Sequence, residues 1–388
     1  MLVTARKTGA EDDDDLEAAA KGRRGVFFSY QQPAPGLFLK LSVLGLLLCQ
    51  NTTYTLVRRY SQATLNEKYD PQEVLLMGEV FKLVFSVCVS IFFLDESSSS
   101  SSSPSDAADP PSPSRATFAY AARRALTRLV YLTKHSGKMF ALAAIYGVMN
   151  VLSYVAIRRV DAAVFTVCAQ LKILTTAACS VSILRKRLSP TKWRALLQLV
   201  LGCVLVTVPQ STKKKKIEGE GGSSDSDTSR AFLLGVFAVL VEVTLSGFAS
   251  IYFEKVVKAA DDNLSVWDRN YQLALHSILL YLVYGVVERN FYVEDDAPPY
   301  RPLHDFSAVA WFLAFLGGGG GLLVALTVKV ADSVIKTLAV SISIVTSTLA
   351  SHFLLQGPLD LPMAIGSLVV ALAVLNYQYD ATPPDPQK

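Results

Sequence analysis

Apolar residues gather in ten windows of membrane-spanning length, near 37–57, 74–94, 139–158, 161–184, 191–209, 231–253, 268–288, 307–329, 332–355 and 359–378. An α-helix rises about 1.5 Å per residue, so roughly 20 such residues cross a hydrocarbon layer of about 30 Å. The pattern predicts an all-α integral membrane protein with ten transmembrane helices. Windows three and four, and eight and nine, are separated by almost nothing and must form tight helical hairpins. Two polar inserts interrupt the series. The first, 95–118, is rich in Ser and Pro and runs on into a basic stretch with Arg123, Arg124, Arg128, Lys134 and Lys138. The second, 210–230, carries four lysines at 213–216 and a Gly/Ser/Asp run. Both read as disordered linkers. The expected organisation is a tail at 1–36, five spans over 37–209, the linker 210–230, five spans over 231–378 and a tail at 379–388.

The two groups of five resemble each other. Placing Asp161 on Asp332 without a gap also places Thr166 on Thr337, Ile173 on Ile344, Thr175 on Thr346, Ser180 on Ser351, Leu184 on Leu355 and Leu188 on Leu359. Chance likeness between apolar helices competes with a true repeat. If the repeat is real, its odd number of spans forces the second copy to insert upside down. That gives two inverted five-helix repeats, the arrangement in which secondary transporters hold a site at the midplane. Basic residues set the orientation: Arg185, Lys186, Arg187, Lys192 and Arg194 in the fourth connection and the arginines of the second place both with the termini in the cytosol. The lysines at 213–216 oppose this and are outvoted. Asn263 in N-L-S then faces the cytosol, and Asn51 in N-T-T sits within a span.

Composition sharpens the class. The 388 residues are 51% hydrophobic and 18% charged with mean hydropathy +0.34, and the net charge of +4 gives no reason to expect nucleic acid as a partner. The five cysteines fall in apolar windows with no C-x-x-C or Cys/His spacing, so neither disulfides nor metal is expected. No cleavable signal is read before the first span. No nucleophile elbow, zinc-protease or metal pattern is present, and neither enzyme chemistry nor a cofactor is expected. Chemistry must then reside in polar groups within the spans.

Lys172 is the foremost of these. It lies roughly 16 Å into its window, at a depth where a charge costs about 2.5–3.5 kcal/mol, so an anion in a wet cavity should offset it. Glu79 and Lys82 stand three apart and can neutralise each other on one helix face. Tyr146 and Asn150 lie one turn apart, followed by Ser153 and Tyr154, as a polar stripe that could equally be helix glue. Gln170, Thr175 and Thr176 flank Lys172. Glu242 and Ser246 precede Gly247, and Glu254 with Lys255 reads as interfacial. Asn270 stands near the mouth of its span, and His276, deeper, reads as a satisfied polar group. The glycines at 317–321 lack the G-K-[ST] of a phosphate loop and point to close helix packing or local flexibility. Lys336 lies one turn inside its window and could snorkel. The repeat places Lys172 on Ser343. Two lysines at unequal positions suit an asymmetric anionic ligand such as a diphosphate.

The strings AQLKILTTA, VDAAVF, SGFASIYFEKVVK, VWDRNYQL and VADSVIKTLAVSISIVTSTLAS closely resemble the Golgi nucleotide-sugar transporters of the drug/metabolite transporter superfamily, and the likeness spans about 37–378 apart from the inserts. The resemblance implies a multi-pass Golgi membrane antiporter exchanging a cytosolic nucleotide sugar for a lumenal nucleoside monophosphate. It places Lys172 and Lys336 near phosphates and sugar, and Tyr146, Asn150, Ser246 and Asn270 around the nucleotide. Glu79, Lys82, Gln170, Thr176 and Ser343 are secondary candidates. Ala274, where the CMP-sialic acid carriers have a tyrosine, and QLKILTT in place of QLKIPCT point to a UDP-sugar, with UDP-N-acetylglucosamine and UDP-galactose near parity. A CMP-sialic acid carrier, another metabolite exporter of the superfamily or a membrane scaffold for glycosyltransferases are the alternatives. Membrane lipid is an expected partner, and a homodimer or glycosyltransferase association stays open.

Overall fold

The computed structural model describes residues 36–99, 115–157, 159–160, 162–218, 225–259, 264–292, 302–304, 306–357 and 359–379. The chain divides into Met1–Leu37 and Phe38–Lys388, and nearly all described residues belong to the second unit. Among the described residues every regular element is a helix: α1 (Leu37–Ala63), α2 (Pro71–Ser99), α3 (Arg115–Lys134), α4 (Gly137–Ile157), α5 (Ala162–Gln170), α6 (Lys172–Leu184), α7 (Pro190–Glu218), α8 (Asp225–Lys258), α9 (Val266–Tyr292), α10 (Ala308–Val330), α11 (Ser333–Leu355) and α12 (Leu361–Gln378).

Each apolar window falls on one helix, except 161–184, which falls on α5 and α6 together. Among the described residues, seven segments are long and apolar enough to cross a membrane: Gly137–Ile157, Val164–Leu184, Pro190–Val208, Phe232–Lys258, Ala308–Val330, Ser333–Leu355 and Leu361–Gln378. The windows near 37–57, 74–94 and 268–288 fall on α1, α2 and α9, of 27, 29 and 27 residues. The two hairpins are as tight as expected, with α4 ending at Ile157 before α5 starts at Ala162, and α10 ending at Val330 before α11 starts at Ser333. In the second hairpin the Asp332 carboxylate accepts from the Ile335 backbone N–H at 2.7 Å and caps α11.

Three features depart from the sequence reading. The ends of the inserts are helical: residues 95–99 continue α2, 115–118 begin α3, and α7 runs to Glu218. Residues 100–114 and 219–224 lie outside the described residues, as do the tails at 1–35 and 380–388. The basic stretch forms α3, whose Ala125 and Leu132, two turns apart, are buried while Arg123 and Lys134 are exposed. Finally, the span holding Lys172 is interrupted at Leu171. Its N–H bonds to the Cys168 carbonyl three residues back at 3.0 Å, a 3₁₀-type tightening that makes Lys172 the first residue of α6.

In lipid, helices associate by close packing and hydrogen bonding rather than by hiding apolar surface from water. One cluster joins Ile173 and Ala177 of α6, Leu196, Leu199 and Cys203 of α7, Val334 and Leu338 of α11, and Val370 and Ala373 of α12. Another joins Met139 and Leu142 of α4, Ala249 and Phe253 of α8, Leu273 of α9 and Ala325 of α10. The glycine run in α10 serves close packing: a Cβ on Gly318 would stand 2.5 Å from the Gly78 carbonyl oxygen of α2. Polar residues in α11 satisfy themselves, since Thr337, Ser341, Ser343, Thr346 and Ser347 each donate to a carbonyl three or four residues back. His276 shares a 2.7 Å hydrogen bond with Ser136, as a satisfied polar group should.

Candidate functional site

Lys172 opens α6 and is solvent-accessible, yet its surroundings are interior. Cys203 of α7, fully buried, and Glu242 of α8 lie within its electrostatic reach, and so does Lys336 of α11. Lys172 is thus an exposed residue with interior neighbours. Among the described residues it forms no hydrogen bond or ion pair of its own through Nζ, so the charge is balanced only loosely. Lys336 is half-buried and donates to the Ser250 hydroxyl at 3.2 Å. Glu242 stands against these cations with one oxygen buried and without a hydrogen-bond partner among the described residues.

The walls are set by a close helix contact. A Cβ on Gly247 would meet Thr175 Oγ1 at 2.6 Å and the Thr176 amide nitrogen at 2.8 Å, so α6 and α8 touch backbone to backbone there. The Thr175 hydroxyl seals the contact by donating to the Val243 carbonyl at 2.9 Å. Ser246 is half-buried on α8 beside this crossing.

The polar stripe of α4 links this region to a second one. Tyr146, Asn150 and Ser153 recur at helical spacing and lie within about 10 Å along the axis. Ser153 lies beside Glu242, Asn150 beside Tyr281 of α9, and Tyr146 lies in the field of Glu79 on α2. Tyr281 also feels Glu79 and Tyr54. Glu79 and Lys82 pair as their spacing predicts, with Lys82 Nζ donating at 2.7 Å and its side chain buried. One end therefore offers loosely held cations, and the other a neutralised ion pair among phenols and an amide.

The structure thus places Lys172 and Lys336 near one another and, separately, Glu79 with Lys82 near Tyr146, with Asn150 on the stripe between and Ser246 beside the α6–α8 crossing. Other candidates face elsewhere. Asn270 is 1% exposed and its amide donates to the Val266 carbonyl of its own helix at 3.0 Å. Gln170 is buried at the end of α5. Thr176 donates to the Lys172 carbonyl at 2.7 Å and Ser343 to the Val340 carbonyl at 2.7 Å. Tyr281 was not legible in the sequence because it sits among Leu279, Leu280, Leu282 and Val283 in an apolar run.

Lys255 is exposed, whereas Glu254 is buried and takes other partners. It is 1% exposed and accepts from Lys186 at 2.8 Å, from Lys258 at 2.9 Å and from the Ser333 backbone N–H at 2.9 Å. A buried carboxylate needs several donors to hold its charge; Lys258 lies one turn on, but the other two partners lie 68 and 79 residues away, beyond the reach of local patterning.

Residues 113–378 match the nucleotide-sugar transporter family. The chain is 34% identical to a UDP-N-acetylglucosamine/UDP-N-acetylgalactosamine transporter of Caenorhabditis elegans, over 88% of this chain and 94% of that one. It is 31% identical to the UDP-N-acetylglucosamine transporter of Homo sapiens, over 89% and 97%. It is also 31% identical to the UDP-galactose transporter of Schizosaccharomyces pombe, over 91% of each. With this coverage on either side, and with polar residues gathered inside the helices rather than on loops, the chain belongs to the nucleotide-sugar transporter family.

Proposed function

We propose that this chain is an exchanger that carries a UDP-sugar, UDP-N-acetylglucosamine or UDP-galactose, against UMP across the Golgi membrane. The family consists of transporters, so the chain is not an enzyme. The observation that carries the proposal is Lys172, an exposed lysine in the middle of a span whose Nζ has no hydrogen-bond or ion-pair partner among the described residues, with Lys336 close enough to repel it. A phosphate group between the two would relieve that repulsion and supply the missing acceptors. In this reading the α4 stripe carries the rest of the ligand toward Glu79 and Lys82. Amide and phenol groups there would read hydroxyls, because an unmatched buried polar group is costly. UDP is favoured by the names of the three relatives and by the QLKILTT string. Ala274 is fully buried, so it would act through the shape of the wall rather than by contact.

Ten spans in two inverted five-helix repeats would supply alternating access. Support comes from helix ends that the repeat alignment pairs. Arg185 after α6 and Gln356 after α11 both take left-handed backbone, at φ 53 and φ 50, and return their N–H groups to Ser180 and Ser351. Non-glycine residues seldom adopt that conformation, so its recurrence 171 positions apart is unlike chance. The orientation we propose has both termini in the cytosol, which places the Lys186 end of the bundle on that side.

Proteoliposomes preloaded with UMP and given labelled UDP-sugars test the proposal. Uptake should exceed that of empty vesicles at least fivefold and should fall when UMP is omitted. Equal uptake with and without internal UMP would reject exchange.

A further inference from the structure

At the Lys186 end, five polar links join the α6–α8 wall to the corner between α10 and α11. Glu254 accepts from the Ser333 N–H at 2.9 Å, Lys258 donates to the Ala331 carbonyl at 2.6 Å, and Lys186 lies 3.3 Å from Asp332. Ser333 donates to the Ser250 carbonyl at 3.0 Å, and Lys336 to the Ser250 hydroxyl at 3.2 Å. Glu254 is the hub: it is almost wholly buried and also holds Lys186 and Lys258 on its own side. The network reaches the ligand region directly, because Lys336 shares Ser250 with it and lies in the field of Glu254.

We propose that Glu254 is a positioning residue that makes opening at this end depend on ligand. This rests on the exchange reading. For a ligand to enter here, the α10–α11 corner must part from the α6–α8 wall, and every link named above crosses that line. Parting takes Lys336 away from Glu254, its nearby anion, while Lys172 still repels it. An empty carrier would thereby strand a cation in the membrane interior, which disfavours the open state. A phosphate bound between Lys172 and Lys336 replaces Glu254 as the anionic neighbour and removes that penalty. The ligand and the carboxylate are alternative counter-ions for one lysine, so empty transit is suppressed and exchange is favoured. Glu254 touches no ligand in this scheme; it acts through Lys336 and the corner.

The test uses the full chain in proteoliposomes, with UMP binding measured on the same preparations. Glu254→Gln keeps the size and an acceptor for the Ser333 N–H but removes the charge. Asp332→Asn keeps a cap for α11 while weakening the Lys186 link. The expected result is UMP affinity within about threefold of wild type in both. Uptake into empty vesicles should rise so that the preloaded-to-empty ratio drops about fivefold for Glu254→Gln and less for Asp332→Asn. Lys255→Gln, an exposed neighbour outside the network, should match wild type. If both variants bind UMP and keep the wild-type ratio, the proposal is overturned. Loss of UMP binding in both overturns it as well, marking the network as one that only holds the fold. If wild type itself shows no counterflow, the exchange reading fails whatever the variants do.

Discussion

Charge in these helices is handled in two ways. Lys82 is buried against Glu79 at hydrogen-bonding distance, whereas Lys172 is accessible and loosely balanced. Breaking the first pair by Lys82→Met should leave Glu79 uncompensated and cost about 3–5 kcal/mol of stability. The double variant Glu79→Gln with Lys82→Met should recover most of that loss, and thermal unfolding of the purified protein would show it. A double variant as unstable as the sum of the singles would count against a self-neutralising pair. The sequence made Glu79 and Lys82 legible as a pair because they share a helix, and Lys172 legible because nothing near it in sequence carries a negative charge. It could not reveal Tyr281 or the role of Glu254, whose partners come from other helices and depend on how those helices pack.

Hydropathy located the long helices well because each needs an unbroken run of about 20 apolar residues. It passed over α3, where Arg123, Arg124, Arg128 and Lys134 outweigh the apolar face and the Ser/Pro run before it suggests disorder. What holds α3 is tertiary: Arg128 reaches the buried Asp268 of α9 at 3.0 Å, and Gln272 donates to the Leu132 carbonyl at 2.8 Å. The break at Leu171 was equally hidden, since leucine is no helix breaker and only the backbone bond to Cys168 discloses it. The crossing of α6 and α8 sets where Lys172 stands, and Gly247 is what lets those backbones meet. Gly247→Ala should force them apart, lower the melting temperature by several degrees and weaken UMP binding at least tenfold. Circular dichroism melts and equilibrium binding check both, and a variant that melts and binds like wild type would show that the crossing is not needed.

For the molecule as a whole, the account joins a cationic end, a neutral hydroxyl-reading end and a polar network at one mouth into a single cycle. Alternating access requires two stable arrangements, and a ligand can favour one only through contacts that differ between them. In the proposed cycle phosphate between Lys172 and Lys336 would be that contact, so nucleotide charge rather than base or sugar should supply most of the discrimination between a bound and an empty carrier. A charge-assisted hydrogen bond contributes about 1.5–3 kcal/mol, or roughly 10- to 150-fold in affinity for each lysine. The most direct measurement is titration calorimetry of UMP and of uridine into the purified wild type and Lys172→Ala. The account predicts that wild type binds UMP at least about 100-fold more tightly than uridine, and that Lys172→Ala loses at least about tenfold in UMP affinity while its uridine affinity and melting temperature stay put. UMP binding that is unchanged by removal of this ammonium would contradict it.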